Sequence, residues 1–194
     1  MVKVIGITGG IATGKSTVTK ALKKAGYTVL DADEIAHQAY LPDNPCYAQI
    51  IEHFDVLEEG AISRTKLGAI VFRDEKARKQ LEDIIHPYVR SCLIEGIRKS
   101  QDALLFIDVP LLFEAHFDDL CDAIIVVSAS REIEVKRLMA RNHFSLEEAS
   151  RRIASQMPLE EKVKRATYVI DNSYDRMHLK KCIDRVMKEI RMHV

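Results

Sequence analysis

Apolar residues along this chain fall into two kinds of pattern. In "KVIGIT" (3–8), "ALLFIDV" (103–109) and "DAIIVVS" (122–128) they form short, nearly unbroken runs. Such runs predict strands buried on both faces, as in a parallel sheet. "YTVLDAD" (27–33) and "TYVIDN" (167–172) predict two further short strands. Elsewhere the apolar positions recur every three or four residues. Val18, Ala21, Leu22 and Ala25 lie at helical spacing, with Gly26 as a C-terminal stop. Leu179, Ile183, Val186, Met187 and Ile190 share one face of a terminal helix. The chain therefore opens as strand–turn–helix–strand, and the class expected is α/β with five parallel strands.

Between Glu34 and Gln101 no strand is predicted. "LPDNP" (41–45) is a break, Ser63 caps a short helix, and apolar positions from Asp74 to Gln101 keep a helical period. Pro87 interrupts that period and predicts a kink or two abutting helices. "SREIEVKRLMAR" predicts another helix, and "SLEE" (145–148) a capping box opening the next. The organisation expected is a single domain of 194 residues. Its core is 1–33, 103–136 and 166–194, with a helical substrate region at 34–102 and a lid at 137–165.

Composition changes this picture little. Hydrophobic residues make up 47% and the formal net charge is +0, so no global field attracts nucleic acid or an anionic membrane. No apolar stretch is long enough for a bilayer span. The four cysteines are scattered with no CxxC pair, which argues against a zinc site and for reduced thiols in a cytosolic protein.

The first strand runs into Gly9-Gly10-Ile11-Ala12-Thr13-Gly14-Lys15-Ser16, which fits G-x-x-x-x-G-K-[ST] between a strand and a helix. Backbone N–H groups from Gly10, Ile11, Ala12, Thr13, Gly14, Lys15, Ser16 and Thr17 are expected to cradle a triphosphate at the helix N-terminus. Lys15 reaches the outer phosphates and the Ser16 hydroxyl binds Mg²⁺. No N-K-x-D or D-x-x-G string is present, so a small-molecule phosphotransferase is favoured over a switch GTPase. A nucleoside or nucleotide monophosphate kinase is the runner-up, and a nucleotide-binding switch without transfer chemistry the alternative of another class.

Phosphoryl transfer needs an oriented acceptor hydroxyl, a neutralised phosphoryl group and exclusion of water. Asp31 and Asp33 lie at the carboxyl end of the second strand, where open parallel sheets bind ligands. Asp31 is assigned mainly to helix capping and Asp33 to catalysis. Asp108 ends another strand, either as a second Mg²⁺ carboxylate or as a turn group. The segment 137–165 is rich in cations: Arg137, Arg141, Arg151, Arg152, Lys162, Lys164 and Arg165. Arg141 is expected to touch phosphate, Arg137 less so, and the bland alternative is a solvated face paired with glutamates. His86, before Pro87, is either a satisfied structural group or a substrate contact.

Taken together, these residues resemble the dephospho-coenzyme A kinase family. The resemblance rests on "GITGGIATGKST", "DAD" at 31–33, Gly60 and Arg64 with "VF" at 71–72, and "HP" at 86–87. It continues through "VPLLFE" at 109–114, "RLMAR" at 137–141, "RRIASQMP" and "VIDN" at 169–172. It implies a P-loop kinase fold, a helical substrate-binding insertion and a lid. It implies ATP-dependent phosphorylation of the ribose 3′-hydroxyl of dephospho-CoA to CoA and ADP, in the cytoplasm. The implied catalytic groups are Lys15, Asp33 and Arg141; Asp33 and His86 bind substrate, and Ser16 and Asp108 hold metal. The protein is expected to work on this small molecule without nucleic acid or membrane, as a monomer or weak homo-oligomer. Three positions depart from the family pattern: Ala12 stands where glycine is frequent, Thr167 replaces an acidic residue, and "NSY" replaces the usual turn after Asn172. Ala12 is expected to fit if its φ is negative.

Overall fold

A computed structural model describes residues 2–192. The strands are β1 (Lys3–Gly9), β2 (Thr28–Asp31), β3 (Leu57–Glu58), β4 (Ala61–Ile62), β5 (Leu104–Asp108), β6 (Ala123–Ser128) and β7 (Tyr168–Asp171). The helices are α1 (Lys15–Lys24), α2 (Ala32–Gln38), α3 (Pro45–His53), α4 (Arg64–Arg73), α5 (Glu75–Lys99), α6 (Arg131–Asn142), α7 (Leu146–Ala154), α8 (Leu159–Arg165) and α9 (Arg176–Arg191). The chain divides into two compact units: one runs to Leu30 and resumes at Lys99, and the other is Asp31–Arg98.

The first unit is built on a five-stranded parallel sheet of order β2-β5-β1-β6-β7. β1 is central: it pairs with β5 along one edge and β6 along the other, and its two apolar faces suit a strand covered by other elements on both sides. Ile5 stands opposite Phe106 on one side and Ala123 on the other. Ile5, Ile7, Phe106, Ile125 and Val127 are buried against Val18 and Leu22 of α1 and Leu179, Val186 and Ile190 of α9. Each such side chain contributes roughly 1.5–3 kcal/mol of transfer free energy. The predicted α9 face is the one buried. Among the described residues no helix is long and apolar enough to cross a membrane.

Two elements depart from expectation, and a third decides between alternatives. β2 stops at Asp31 rather than running to Asp33, because the Asp31 carboxylate accepts hydrogen bonds from the N–H groups of Asp33 (3.0 Å) and Glu34 (3.2 Å) and starts α2. Of the two alternatives at Pro87, two abutting helices do not form: α5 is one helix with Pro87 inside it. Buried Ile85, Val89 and Leu93 hold the turns on either side, which outweighs the hydrogen bond that proline removes. A small antiparallel hairpin, β3–β4, lies where no strand was expected. Its turn residues Glu59 and Gly60 both have positive φ, 50° and 82°, the geometry of a two-residue hairpin turn. Back in the first unit, the capping box at 145–148 is half made. Ser145 accepts from the Glu148 N–H at 3.2 Å, but the Glu148 carboxylate turns to Arg151 and Arg152.

Candidate phosphate-transfer site

The loop between β1 and α1 is a tight wrap around its own backbone. The Thr13 hydroxyl donates to the Gly10 carbonyl at 2.9 Å, and the Thr17 N–H donates to the Gly14 carbonyl at 2.9 Å. Ala12 has φ 62°, so the condition for an easy fit, a negative φ, is not met. The loop needs a left-handed residue there, and alanine meets that need at a cost of roughly 1–2 kcal/mol. Gly14 has φ 92°, and a Cβ on it would collide with the side-chain amide of Asn172. That amide donates to the Thr13 carbonyl at 2.7 Å. Arg137 closes the same knot, its Nη1 on the Thr13 carbonyl at 3.3 Å and its Nη2 on the Asn172 carbonyl at 3.0 Å.

This wrap leaves α1 without a side-chain cap and without an acidic residue in its first turn. Its first N–H groups and dipole therefore favour an anion. Lys15 begins the helix and is ion-paired with Asp108, which is buried at the end of β5. Ser16 and Thr17 are exposed on the same first turn.

Two buried ionisable groups brace the loop, and the sequence did not reveal either role. Lys162 is fully buried; its Nζ pairs with Glu114 Oε1 at 2.8 Å and donates to the carbonyls of Pro110 (3.3 Å) and Gly9 (3.5 Å). It is a core strut and not a lid cation. Glu134 on α6 is 2% exposed, and its Oε1 sits where a Cβ on Gly10 would stand. That oxygen has no hydrogen-bond partner among the described residues. Burial pushes the Glu134 carboxyl up to about 7, with Arg131 and Lys162 opposing and Glu160 adding to the rise.

The other cations of 137–165 divide. Arg151 pairs with Glu148 and Lys164 with Glu161, the solvated-face arrangement, while Arg165 lies over the Phe113 ring at 5.7 Å. Arg141, expected on phosphate, is exposed in the last turn of α6 and donates to the Asn142 side chain at 2.8 Å. Arg137, given less weight by the sequence, is the one that grips the loop. In the second unit, Asp33 is exposed in the first turn of α2. His86 is half-buried on α5, and desolvation holds its imidazole below the usual histidine range against the opposing pull of Glu82 and Asp83.

A family model described as dephospho-CoA kinase matches residues 3–177. The chain belongs to the dephospho-CoA kinase family. A curated family member from Enterococcus faecalis is 42% identical, over 97% of this chain and 98% of its own length. One from Bacillus cereus is 44% identical over 97% of each. Among solved structures, a dephospho-CoA kinase from Campylobacter jejuni superposes with a TM-score of 0.74 at 32% identity, covering 98% of each chain. A Thermus thermophilus protein superposes with a TM-score of 0.84 at 37% identity, covering 97% of each. A shikimate kinase from Bacteroides thetaiotaomicron, 15% identical with a TM-score of 0.57, shares the P-loop kinase fold.

Proposed function

We propose that this protein transfers the γ-phosphoryl group of ATP to the ribose 3′-hydroxyl of dephospho-CoA, giving CoA and ADP. The observation that carries this reading is the family match over residues 3–177, on a chain whose loop leaves the α1 N-terminus uncapped beside Lys15. The N–H groups of residues 10–17 hold the triphosphate, and Lys15 neutralises its outer oxygens. Asp33 accepts the proton of the attacking hydroxyl, and His86 helps hold the acceptor. Arg141 takes transition-state charge from its place at the end of α6.

Magnesium is expected with the nucleotide. The donors suit it: the exposed hydroxyl of Ser16 on the first turn of α1 and the buried carboxylate of Asp108 beside Lys15 are both hard oxygen ligands. When bound it would supply charge neutralisation to the transferring phosphoryl group. The protein works in the cytoplasm as a monomer or weak homo-oligomer, without nucleic acid or membrane. Four free cysteines suit that compartment.

A coupled assay of ADP release tests the reading, with dephospho-CoA, AMP and nucleosides offered in parallel. Turnover with dephospho-CoA alone is expected; none with dephospho-CoA, or faster turnover with AMP, overturns it.

A further inference from the structure

The phosphate loop has a carboxyl packed against it. Glu134, in the first turn of α6, is buried, and its Oε1 occupies the place of a Cβ on Gly10. Among the described residues no cation forms an ion pair with it. Arg131 directs its Nη2 to the Ser150 carbonyl at 3.2 Å, and Lys162 pairs with Glu114 at 2.8 Å. Glu134 Oε1 has no hydrogen-bond partner among the described residues. Gln156, which lines the same cavity of about 350 Å³, also holds an unpartnered Oε1. An ionised carboxylate adds only acceptors to such a place, whereas a neutral carboxyl carries an O–H that can donate. A buried carboxylate with no partner takes up a proton rather than stay charged.

The charged groups that face Glu134 are Arg131 on its own helix and Glu160 and Lys162 on α8. The two cations oppose protonation and Glu160 favours it, while burial, the largest cause, pushes the carboxyl up to about 7. Gly10, the loop residue against the carboxyl, adds no charge. A triphosphate on the loop changes this balance. Its oxygens gather at the N–H groups that begin at Gly10, and negative charge beside a carboxyl favours the neutral form.

We propose that Glu134 is a positioning residue of the phosphate loop: it supports Gly10 in its neutral form, and a triphosphate binds with uptake of one proton from solvent onto this carboxyl. The assignment rests on the loop holding the triphosphate of ATP. The proton is taken up more completely in the bound state, so ATP binds most tightly at low pH. The advantage is lost as pH rises through the value at which the free carboxyl ionises.

Calorimetric titration of ATP and Mg²⁺ into wild type and Glu134→Gln, without acceptor and in buffers of different ionisation enthalpy, tests the coupling. Subtracting the variant removes the titration of ATP itself and of every other group. If ATP lifts the carboxyl by about one unit from about 7, wild type takes up about 0.4 of a proton more than Glu134→Gln at pH 8. Between pH 6 and 8.5 its Kd for ATP should weaken about sevenfold more than that of the variant. A merely structural Glu134 would change melting temperature and leave both quantities alone. Carbon NMR of glutamate-labelled wild type is a second measure that needs no variant. One side-chain carboxyl should titrate near pH 7 and move up by about one unit with ATP. If wild type binds ATP and its proton uptake and pH slope match those of Glu134→Gln, the proposal is overturned. It is overturned equally if no glutamate carboxyl titrates near pH 7, or if ATP leaves that midpoint in place. If wild type binds no ATP, the functional reading itself fails.

Discussion

The side-chain amide of Asn172 fills the space that a Cβ on Gly14 would need, and from there it donates to the Thr13 carbonyl at 2.7 Å. A residue just past β7 thus sets the curvature of the loop after β1. Gly14→Ala would displace the amide and force alanine to φ 92°. The cost is roughly 1–2 kcal/mol of backbone strain plus about 0.5–1.5 kcal/mol for the lost hydrogen bond. Calorimetric titration should show ATP binding weakened by about tenfold or more, with a lower melting temperature.

Glu134 gives the protein a predicted pH dependence. Its folded-state pKa is raised to about 7 from 4.5 by burial, so the folded state holds a proton that the unfolded state releases first. The stability this proton carries is complete below pH about 4.5 and is lost as pH rises through about 7. Glu134→Gln keeps the shape and removes the ionisation. Melting temperatures should show the variant gaining on wild type at pH 8 and losing that advantage by pH 5.

Lys162 and Glu114 form an ion pair at 2.8 Å with the lysine fully buried. Lys162→Met leaves a half-buried carboxylate without its cation and the carbonyls of Gly9 and Pro110 without a donor. Denaturant unfolding should show a loss of about 3–5 kcal/mol. Lys162→Met with Glu114→Gln should lose less than the single variant, because no orphaned charge remains.

The sheet, α1, α9 and the phosphate loop were legible because each is a local pattern: unbroken apolar runs, a helical period, and glycines at fixed spacing before Lys15. What was not legible concerns long-range partners. Lys162 looks like its solvated neighbours Lys164 and Arg165 in sequence, and only the fold brings Glu114 and Gly9 to it. Arg137 and Arg141 lie one helical turn apart, and nothing local says that Arg137 meets Asn172. The sequence left the sign of φ at Ala12 open, and the closed loop imposes 62°. The β3–β4 hairpin is too short for periodicity to register, although "EEGA" held its turn residues.

Asp33 lies exposed in the first turn of α2, positioned by the Asp31 cap. On the proposed role as proton acceptor, Asp33→Asn should lower kcat by roughly 10²–10⁴ and leave ATP affinity unchanged. Single-turnover kinetics beside ATP titration separate the two quantities. A variant that loses ATP binding along with rate would assign Asp33 to the donor side instead.

The most direct test is the chemical identity of the product. Purified protein is incubated with ATP, Mg²⁺ and dephospho-CoA, and the product is examined by phosphorus NMR. One new phosphomonoester on the ribose 3′-oxygen, formed in step with ADP, is the expected result. A phosphate on any other hydroxyl, or ADP formed with no new monoester, would contradict it.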